Sequence, residues 1–252
     1  PHHAGWTWET KAHNSVLVDG EGQVKRSLTS RGKIAAFDGQ DDYCYAVGDA
    51  TEAYGGRLKR FLRRVLFIRP DCFIICDELA SAGESSYQWL LHAKSKMAFD
   101  EAAQAVTISQ GEARLRAELL APRGLKLSQM EGFPIAPEQE DSPPQYHFTA
   151  DTVSKSAETT FISVLSVYRE GEERSAPQAA LVEGEGGSGV RLSWDEGSAL
   201  VAWRLGEAER VKVGDLETEA EVAVVRRDAQ GKITSVYVYG AETVLVGGEA
   251  VD

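Results

Sequence analysis

Three residues with metal-ligand side chains stand at the ends of segments that read as β-strands: His13, Asp49 and His92. Neighbouring strands of a sheet lie about 4.8 Å apart, so side chains at adjacent strand ends can converge on one point. Two imidazoles and one carboxylate suit Zn²⁺ or a similar divalent ion, with a fourth position left for water or a ligand. The spacing matches no short zinc motif, and the alternative is that these groups only hydrogen-bond one another and the backbone.

The elements that would position these residues are almost all strands. Short segments rich in β-branched and aromatic residues follow one another along the whole chain, separated by Gly, Pro, Asp or Ser turns. This spacing predicts an all-β fold, in which antiparallel sheets pack face to face as a β-sandwich with very little helix. We assign residues 1–205 to the sandwich and residues 206–252 to C-terminal strands, which either complete it or form a small separate β-sheet. No internal repeat is present, which argues against a propeller or a solenoid.

The composition is that of a globular protein with an acidic surface. The 252 residues are 42% hydrophobic, which is enough for a large core. The net charge of −12 disfavours nucleic acid and anionic membranes as partners, because both reward clustered Lys and Arg. No apolar run is long enough to span a bilayer. The chain opens with Pro-His-His and no Met, so we expect it to be a processed or trimmed piece of a longer protein.

Three further features could contact a ligand. Trp6 and Trp8 alternate with polar residues, so both indoles would point to one side, where they either stack on a sugar ring or cap the core. In the basic segment RLKRFLRR, alternation places Arg57, Lys59 and Arg63 on one face and Arg60 and Arg64 on the other. One face either attracts an acidic ligand or is a solvated surface among acidic neighbours. The Pro-rich acidic segment 131–145 is long enough to reach a site or to link two halves of the sandwich.

Three stretches of the sequence resemble the β-sandwich half of the heparinase II/III-like polysaccharide lyases, a family that includes oligoalginate lyases. They are TKAHNSVLVDGEGQ, YAVGDATEAYGGRLKRFLRRVLFIRPDCFIICDELASAG and YQWLLHA. The similarity covers residues 1–93 well, and the order of the motifs is more specific than any one of them. It implies an α/α toroid of helices followed by an antiparallel β-sandwich of the super-sandwich type, with the active site between the two. We expect this chain to hold the sandwich part and the toroid to lie upstream.

The resemblance also implies a metal and a set of partners. The sandwich metal of this family is typically zinc held by His, Asp and His, and the positions that match are His13, Asp49 and His92. Such a Zn²⁺, or another divalent metal in its place, would be structural. The implied partners are an acidic polysaccharide or oligosaccharide and the upstream helical toroid domain, and a homodimer is left open. Polymers of this kind are met in the periplasm or outside the cell, so we expect a periplasmic or secreted protein.

The reaction that the resemblance implies is β-elimination of a glycosidic bond 4-linked to a uronic acid. The enzyme must neutralise the uronate carboxyl group, supply a base near C5 and protonate the leaving oxygen. The candidate catalytic residues here are His3, for which His2 is an alternative, and Tyr54, whereas Trp6 and Arg57 are candidate substrate-binding residues. The alternatives are a floppy terminus for the histidines and a core or cleft-wall aromatic for Tyr54. Several other catalytic groups would come from the toroid.

Other classes of function fit less well or remain as competitors. The segment GGSGV lacks the context of a serine-hydrolase nucleophile turn, and no Gly-rich phosphate loop leads into a helix. The serious competitor is a non-catalytic β-sandwich module that binds carbohydrate or supports a helical domain. We expect a polysaccharide lyase as the whole protein and an inactive chain in isolation. The sequence does not choose between alginate and a glycosaminoglycan as substrate.

Overall fold

The computed structural model describes residues 2–139 and 142–251, the side chain of Arg174 excepted. The chain divides into two compact units, Pro1–Glu170 and Gly171–Asp252. Strands dominate both units, and the all-β prediction is confirmed. The helical elements are single turns: a π-helical turn at His3–Thr7 and 3₁₀ turns at Thr10–Ala12, Thr51–Tyr54 and Glu173–Ser175. Across the described residues, no helix has the length and apolar character needed to cross a membrane.

The strands of the two units pair in antiparallel fashion. Those of the first unit are β1 (Val16–Val18), β2 (Lys33–Gly39), β3 (Tyr43–Asp49), β4 (Leu58–Ile68), β5 (Cys72–Ser85), β6 (Tyr87–Ala93), β7 (Ala98–Asp100), β8 (Ala105–Gln110), β9 (Ala113–Ala121), β10 (Lys126–Glu131), β11 (Tyr146–Asp151) and β12 (Ser156–Arg169). Those of the second unit are β13 (Gln178–Glu185), β14 (Gly187–Trp194), β15 (Gly197–Arg204), β16 (Val211–Val213), β17 (Leu216–Thr218), β18 (Val222–Asp228), β19 (Ile233–Tyr239), β20 (Val244–Val246) and β21 (Glu249–Val251).

The first unit is a β-sandwich of two sheets. Four strands follow the order β1-β6-β11-β10, and eight strands follow the order β2-β3-β4-β5-β12-β9-β8-β7. Successive side chains of a strand point to opposite faces, so each sheet offers one apolar face to the other. The buried cluster takes Trp89 and Phe148 from the smaller sheet and Phe61 and Phe161 from the larger one. The predicted sandwich is therefore confirmed for this unit.

The second unit is built on one nine-stranded sheet of order β19-β18-β15-β14-β13-β16-β17-β20-β21. Its core joins Leu200 of β15 and Val225 of β18 to Val213, Leu216 and Val244, which lie on β16, β17 and β20. Two parts of the same sheet therefore pack against each other around one apolar cluster.

The division between the units differs from the predicted boundary after residue 205. That position lies inside the second unit, where β15 pairs with β18 along its length and Trp203 stands opposite Val222. A hydrogen-bonded ladder thus crosses the predicted boundary. The compact units separate instead after Glu170, directly beyond the end of β12. Residues 206–252 share a sheet with β13, β14 and β15 and do not form a small sheet of their own.

The basic residues of β4 are paired with acidic residues of β5. Arg63 stands opposite Asp77, and its guanidinium donates two hydrogen bonds to the carboxylate, at 2.6 and 2.8 Å. Arg60 and Arg64 both form ion pairs with Glu78. Asp77 is fully buried and Glu78 nearly so. These arginines hold the sheet together. Their acidic neighbours agree with the second interpretation of this segment, but Asp77 and Glu78 are buried, so these pairs do not form a solvated surface.

Candidate functional site

Two of the predicted metal ligands, His13 and His92, come together at one end of the four-stranded sheet. β1 pairs with β6 so that Val16 stands opposite Trp89, and the residues before β1 therefore lie beside the end of β6. Asn14 fixes this approach, because its Oδ1 accepts a hydrogen bond from the backbone N–H of His92 at 2.9 Å. The His-Asn pair of the sequence thus has a structural role, in which the amide ties the strand opening to β6 and places the adjacent imidazole beside it.

A third imidazole, that of His147, completes this cluster. β11 is the next strand of the sheet, and His147 stands opposite His92 with the ring centroids 4.9 Å apart. Its Nε2 donates to the carbonyl of Gly132 at 2.7 Å, whereas its buried Nδ1 has no hydrogen-bond partner within the described residues. Burial lowers the pKa of His147, which favours the neutral ring. The segment YHFTA predicts a strand, but only the register between β6 and β11 reveals that the two histidines meet.

His92 lies between two oxygen atoms in surroundings that oppose its protonation. Its Nδ1 is 2.9 Å from Oδ1 of Asn14, and its Nε2 is 3.0 Å from the carbonyl oxygen of Lys11. Burial lowers the pKa of His92 to about 4; the Lys11 carbonyl acts against this shift, and the neighbouring imidazoles of His147 and His13 act with it. A neutral imidazole can donate to only one of the two oxygens. Burial therefore favours the neutral form of His92, whereas the two oxygen atoms favour the protonated form, in which both ring nitrogens can donate.

We expect the pKa of His92 to be about 4, well below the ordinary value of 6.5. The unfolded chain then binds this proton more tightly than the folded chain, so the free energy of unfolding should fall as the pH drops from 6.5 towards 4. The variant His92→Gln should lose this part of the pH dependence. An NMR titration of the imidazole resonances measures the pKa directly. A value above 6.5 would contradict the prediction and would show that the two oxygen atoms outweigh burial.

A pocket of about 610 Å³ opens beside the histidine cluster, between the N-terminal residues and the segment that joins β10 to β11. Its walls include His2, Trp6, His13, Phe133, Gln139 and Gln145. His2 ties the two sides together, because its Nδ1 donates to the carbonyl of Ile135 at 2.5 Å and its ring meets that of Phe133 edge-on. The segment 131–145 therefore lines the pocket, in agreement with the prediction that it reaches a site. Residues 140 and 141 of that segment lie outside the described residues.

Two imidazoles line this pocket, each anchored through one ring nitrogen. Nε2 of His13 donates to the carbonyl of Thr7 at 2.8 Å, and Nδ1 of His2 donates to the carbonyl of Ile135. With these assignments each neutral ring keeps a lone pair on its other nitrogen. A nitrogen of this kind can accept a proton from a ligand or, once protonated, donate one. The pocket therefore holds two groups suited to acid–base chemistry.

The predicted catalytic residue His3 is engaged by its own helical turn. Its Nδ1 donates to Oγ1 of Thr7, and the indole N–H of Trp8 donates to its Nε2, both at 2.8 Å. The guanidinium of Arg26 lies 3.5 Å from the Trp8 ring centroid. Both nitrogens of the His3 ring are thus used within the N-terminal segment. Of the two histidines between which the sequence could not decide, His2 is the one that lines the pocket.

The third predicted metal ligand, Asp49, belongs to the other sheet. It ends β3, where its Oδ1 accepts a hydrogen bond from the backbone N–H of Thr51 at 3.0 Å and its Oδ2 lies 3.4 Å from Nζ of Lys33. Among residues 2–139 and 142–251, no group of three or more His, Cys, Asp or Glu side chains is arranged to hold a metal ion. The prediction placed His13, Asp49 and His92 on neighbouring strands of one sheet, and this placement is corrected here. The residues present do not fit that ligand set, and Zn²⁺ stays a prediction.

The predicted catalytic residue Tyr54 lies in the sandwich core. Its side chain is fully buried, and its hydroxyl donates to the carbonyl of Val16 at 2.6 Å. The ring packs edge-on against Phe61, with the centroids 5.5 Å apart. Burial raises the pKa of Tyr54, which keeps the hydroxyl protonated. These contacts are those of a core aromatic that holds β1 in place, which was the alternative interpretation.

The two predicted substrate-binding residues occupy different surroundings. Trp6 is only 2% exposed, and its indole packs edge-on against His147 with the ring centroids 4.8 Å apart. Because the segment forms a helical turn and not a strand, Trp6 does not share a side with Trp8, and it caps the core. Arg57 is exposed, with one guanidinium nitrogen 3.9 Å from the Glu21 carboxylate. Among the described residues that line the pocket, Arg57 is not included.

Comparison with known proteins identifies the family to which this chain belongs. The family model described as heparinase II/III-like, C-terminal, matches residues 1–203. The chain therefore belongs to the heparinase II/III-like C-terminal family, whose context is that of polysaccharide lyases. This match extends well beyond residues 1–93, where the motifs of the sequence resemble the family. The chain has no match among curated proteins.

Solved structures show the same fold at low sequence identity. The heparan sulfate lyase HepC from Pedobacter heparinus matches with a TM-score of 0.64 and 16% identity, over 81% of this chain and 32% of that chain. A heparinase III with methylated lysines matches with a TM-score of 0.60 and 14% identity, over 89% of this chain and 31% of that chain. The chain thus spans about a third of the length of these lyases.

Proposed function

We propose that this chain forms one wall of the substrate cleft in a polysaccharide lyase that cleaves a uronic-acid-containing polymer by β-elimination. The observation that carries the proposal is the family match over residues 1–203, the range that includes both sheets of the first unit and the pocket. The candidate substrates are alginate and glycosaminoglycans. Catalytic groups beyond those of this chain would come from an upstream helical toroid, and the whole protein would act in the periplasm or outside the cell.

The pocket has groups that suit this reaction. In β-elimination a base removes the C5 proton of the uronate, the C5–H electron pair forms a C4–C5 double bond, and the C4–O bond breaks as its oxygen takes up a proton. The imidazoles of His2 and His13 line the pocket and can accept or deliver a proton in these steps. The amides of Gln139 and Gln145 can hydrogen-bond sugar hydroxyls, and the Phe133 ring offers an apolar face to the sugar.

One requirement of the reaction has no evident source in this pocket. Removal of the C5 proton builds negative charge on the uronate carboxyl group, which needs a cation or strong hydrogen-bond donors. The described residues that line the pocket include no Arg or Lys. We infer that the groups that neutralise the carboxylate belong to another part of the protein. The isolated chain is then expected to bind a uronate oligosaccharide weakly and to release no product.

A metal remains part of the proposal only through the family resemblance. A structural Zn²⁺ held by His13, Asp49 and His92 together is disfavoured by the two-sheet placement described above. The metal content of the purified chain, measured for the wild type and for Asp49→Asn, tests the predicted set. Loss of one equivalent in the variant would restore Asp49 as a ligand.

The proposal is tested by the ultraviolet absorbance of the unsaturated uronate product. We expect product from at least one of alginate, heparan sulfate and hyaluronan with the complete natural protein, and none with the 252-residue chain alone. In the complete protein His13→Ala should lower the rate by about 100-fold or more, the usual contribution of a positioned acid or base. Val153→Ala, on a side chain that is 72% exposed, serves as the matched control and should leave the rate unchanged.

Two outcomes would overturn the proposal. No product from any uronate polymer with the complete protein, together with binding by the chain, would favour the non-catalytic carbohydrate-binding module. An active complete protein whose rate is unaffected by both His13→Ala and His2→Ala would remove the pocket from the active site.

A further inference from the structure

The outermost strand of the eight-stranded sheet, β2, presents large apolar side chains to solvent. Ile34 is 72% exposed and Phe37 is 67% exposed. β3 pairs with one edge of β2, and within the described residues no strand pairs with its other edge. An exposed apolar edge strand carries unpaired backbone groups that can accept another strand, and soluble proteins commonly cover or charge such an edge. The feature therefore points to a partner that covers it.

A β-bulge in β2 decides which of its side chains share a face. Ile34 stands opposite Gly48 and Ala36 opposite Val47, so Ala35 is the extra residue. Phe37 then stands opposite Ala46, two residues from Gly48 on β3, and it shares a face with Ile34. By the same register Lys33 and Asp38, opposite Asp49 and Tyr45, share the other face. If Ala35 and Ala36 are counted as one position, Ile34 and Phe37 each lie one position from it. Lys33 and Asp38 then each lie two positions from it, on opposite sides.

This symmetry makes β2 complementary to an antiparallel copy of itself. With Ala36 opposite its own copy, Ile34 would meet Phe37 on one face and Lys33 would meet Asp38 on the other. The charges around the strand follow the same pattern. Basic residues precede its centre and acidic residues follow it, since Lys25, Arg26, Arg31 and Lys33 lie on one side and Asp38, Asp41 and Asp42 on the other. Opposite charges directly across a strand pair stabilise it, and like charges destabilise it.

We propose that two copies of this chain associate through β2 strands paired in antiparallel fashion about a two-fold axis at Ala36. The two eight-stranded sheets join edge to edge, with two Ile34–Phe37 contacts and two Lys33–Asp38 contacts. A two-fold interface of this kind is closed, because both copies use the same edge and each β2 strand occupies the free edge of the other. The bulge favours this single register over a sliding or open-ended association. The association is independent of the proposed lyase activity.

Sedimentation equilibrium of the 252-residue chain tests the proposal. At concentrations of up to about 500 µM, a range chosen because a small interface binds weakly, we expect a concentration-dependent species of twice the 27.4 kDa chain mass. Each of Lys33→Asp and Asp38→Lys should weaken the dimer by roughly tenfold or more, because it places like charges opposite each other twice. The double variant, in which the two charges are exchanged, should recover the wild-type association.

An apolar comparison separates this edge from general stickiness. Ile34→Asp should abolish the dimer, whereas Val153→Asp should not, although both side chains are 72% exposed in the wild type. Circular dichroism of each variant reports whether its fold is kept. A chain that stays monomeric throughout the concentration range would overturn the proposal and leave the edge to a different polypeptide. A dimer that persists in Ile34→Asp, or a double variant that does not recover, would also overturn it.

Discussion

Replacing Arg63 with alanine is expected to lower the free energy of unfolding of the first unit by about 3–5 kcal/mol. Arg63 donates two hydrogen bonds to the Asp77 carboxylate, which is fully buried beneath it. Without the guanidinium, that charge would stay in the core without its partner, which is the costly way to break a buried ion pair. A second contact is lost as well, because Arg63 also donates to the carbonyl of Asn14 at 2.6 Å. Unfolding in urea measures the loss.

A neighbouring arginine provides the matched control for this experiment. The Arg57 side chain is 43% exposed and lies 3.9 Å from Glu21, so Arg57→Ala should change the free energy of unfolding by less than about 0.5 kcal/mol. The double variant Arg63→Met, Asp77→Leu should regain much of the loss, because it removes both charges together. A loss below about 1 kcal/mol for Arg63→Ala would mean that water or another group takes over the Asp77 carboxylate, against the prediction.

Replacing Trp6 with alanine is expected to lower the free energy of unfolding by about 3 kcal/mol or more, the usual range for a buried tryptophan. Trp6 is 2% exposed and packs against the His147 ring, so its removal leaves a cavity between the N-terminal turn and the four-stranded sheet. If the turn detaches locally, the effect will appear first as faster hydrogen exchange around His13 and only then as lower global stability. Hydrogen exchange and urea unfolding together measure both effects.

Trp8 is the natural comparison for Trp6. It is only partly buried and carries the Arg26 guanidinium on its face, so Trp8→Ala should cost less than about 1 kcal/mol. If Trp6→Ala instead keeps full stability and weakens binding of a uronate oligosaccharide, Trp6 would be a sugar-stacking residue as the sequence suggested. The two indoles are two residues apart in sequence, so the comparison keeps the local segment the same.

The sequence predicted the fold more fully than the site. The alternation of apolar and polar residues is a local property, so it predicts strands and a sandwich without knowledge of the partners of each strand. His13 and His92 approach each other because β1 pairs with β6. The sequence predicted this approach correctly, because both histidines stand at strand ends. Asp49 has the same signal but belongs to the other sheet. Sheet membership is a long-range property that no local pattern contains.

Two other differences have local causes. The alternation of Trp6 and Trp8 predicts a shared side only in an extended strand, and the segment forms a π-helical turn instead. The segment is too short for the spacing of its apolar residues to distinguish the two conformations. His147 was missed because a histidine within a strand carries no special signal, and its value comes only from standing opposite His92.

The contact between His2 and Ile135 joins residues 133 positions apart. A chain made from its N-terminus exposes the first turn long before β6, the β10–β11 connection and β11 have been synthesised. Closing so long a segment is entropically unfavourable until most of the sandwich has formed. The turn at His3–Thr7 is therefore expected to settle last, and in a nascent chain that stops before β11 this turn should be open to proteases.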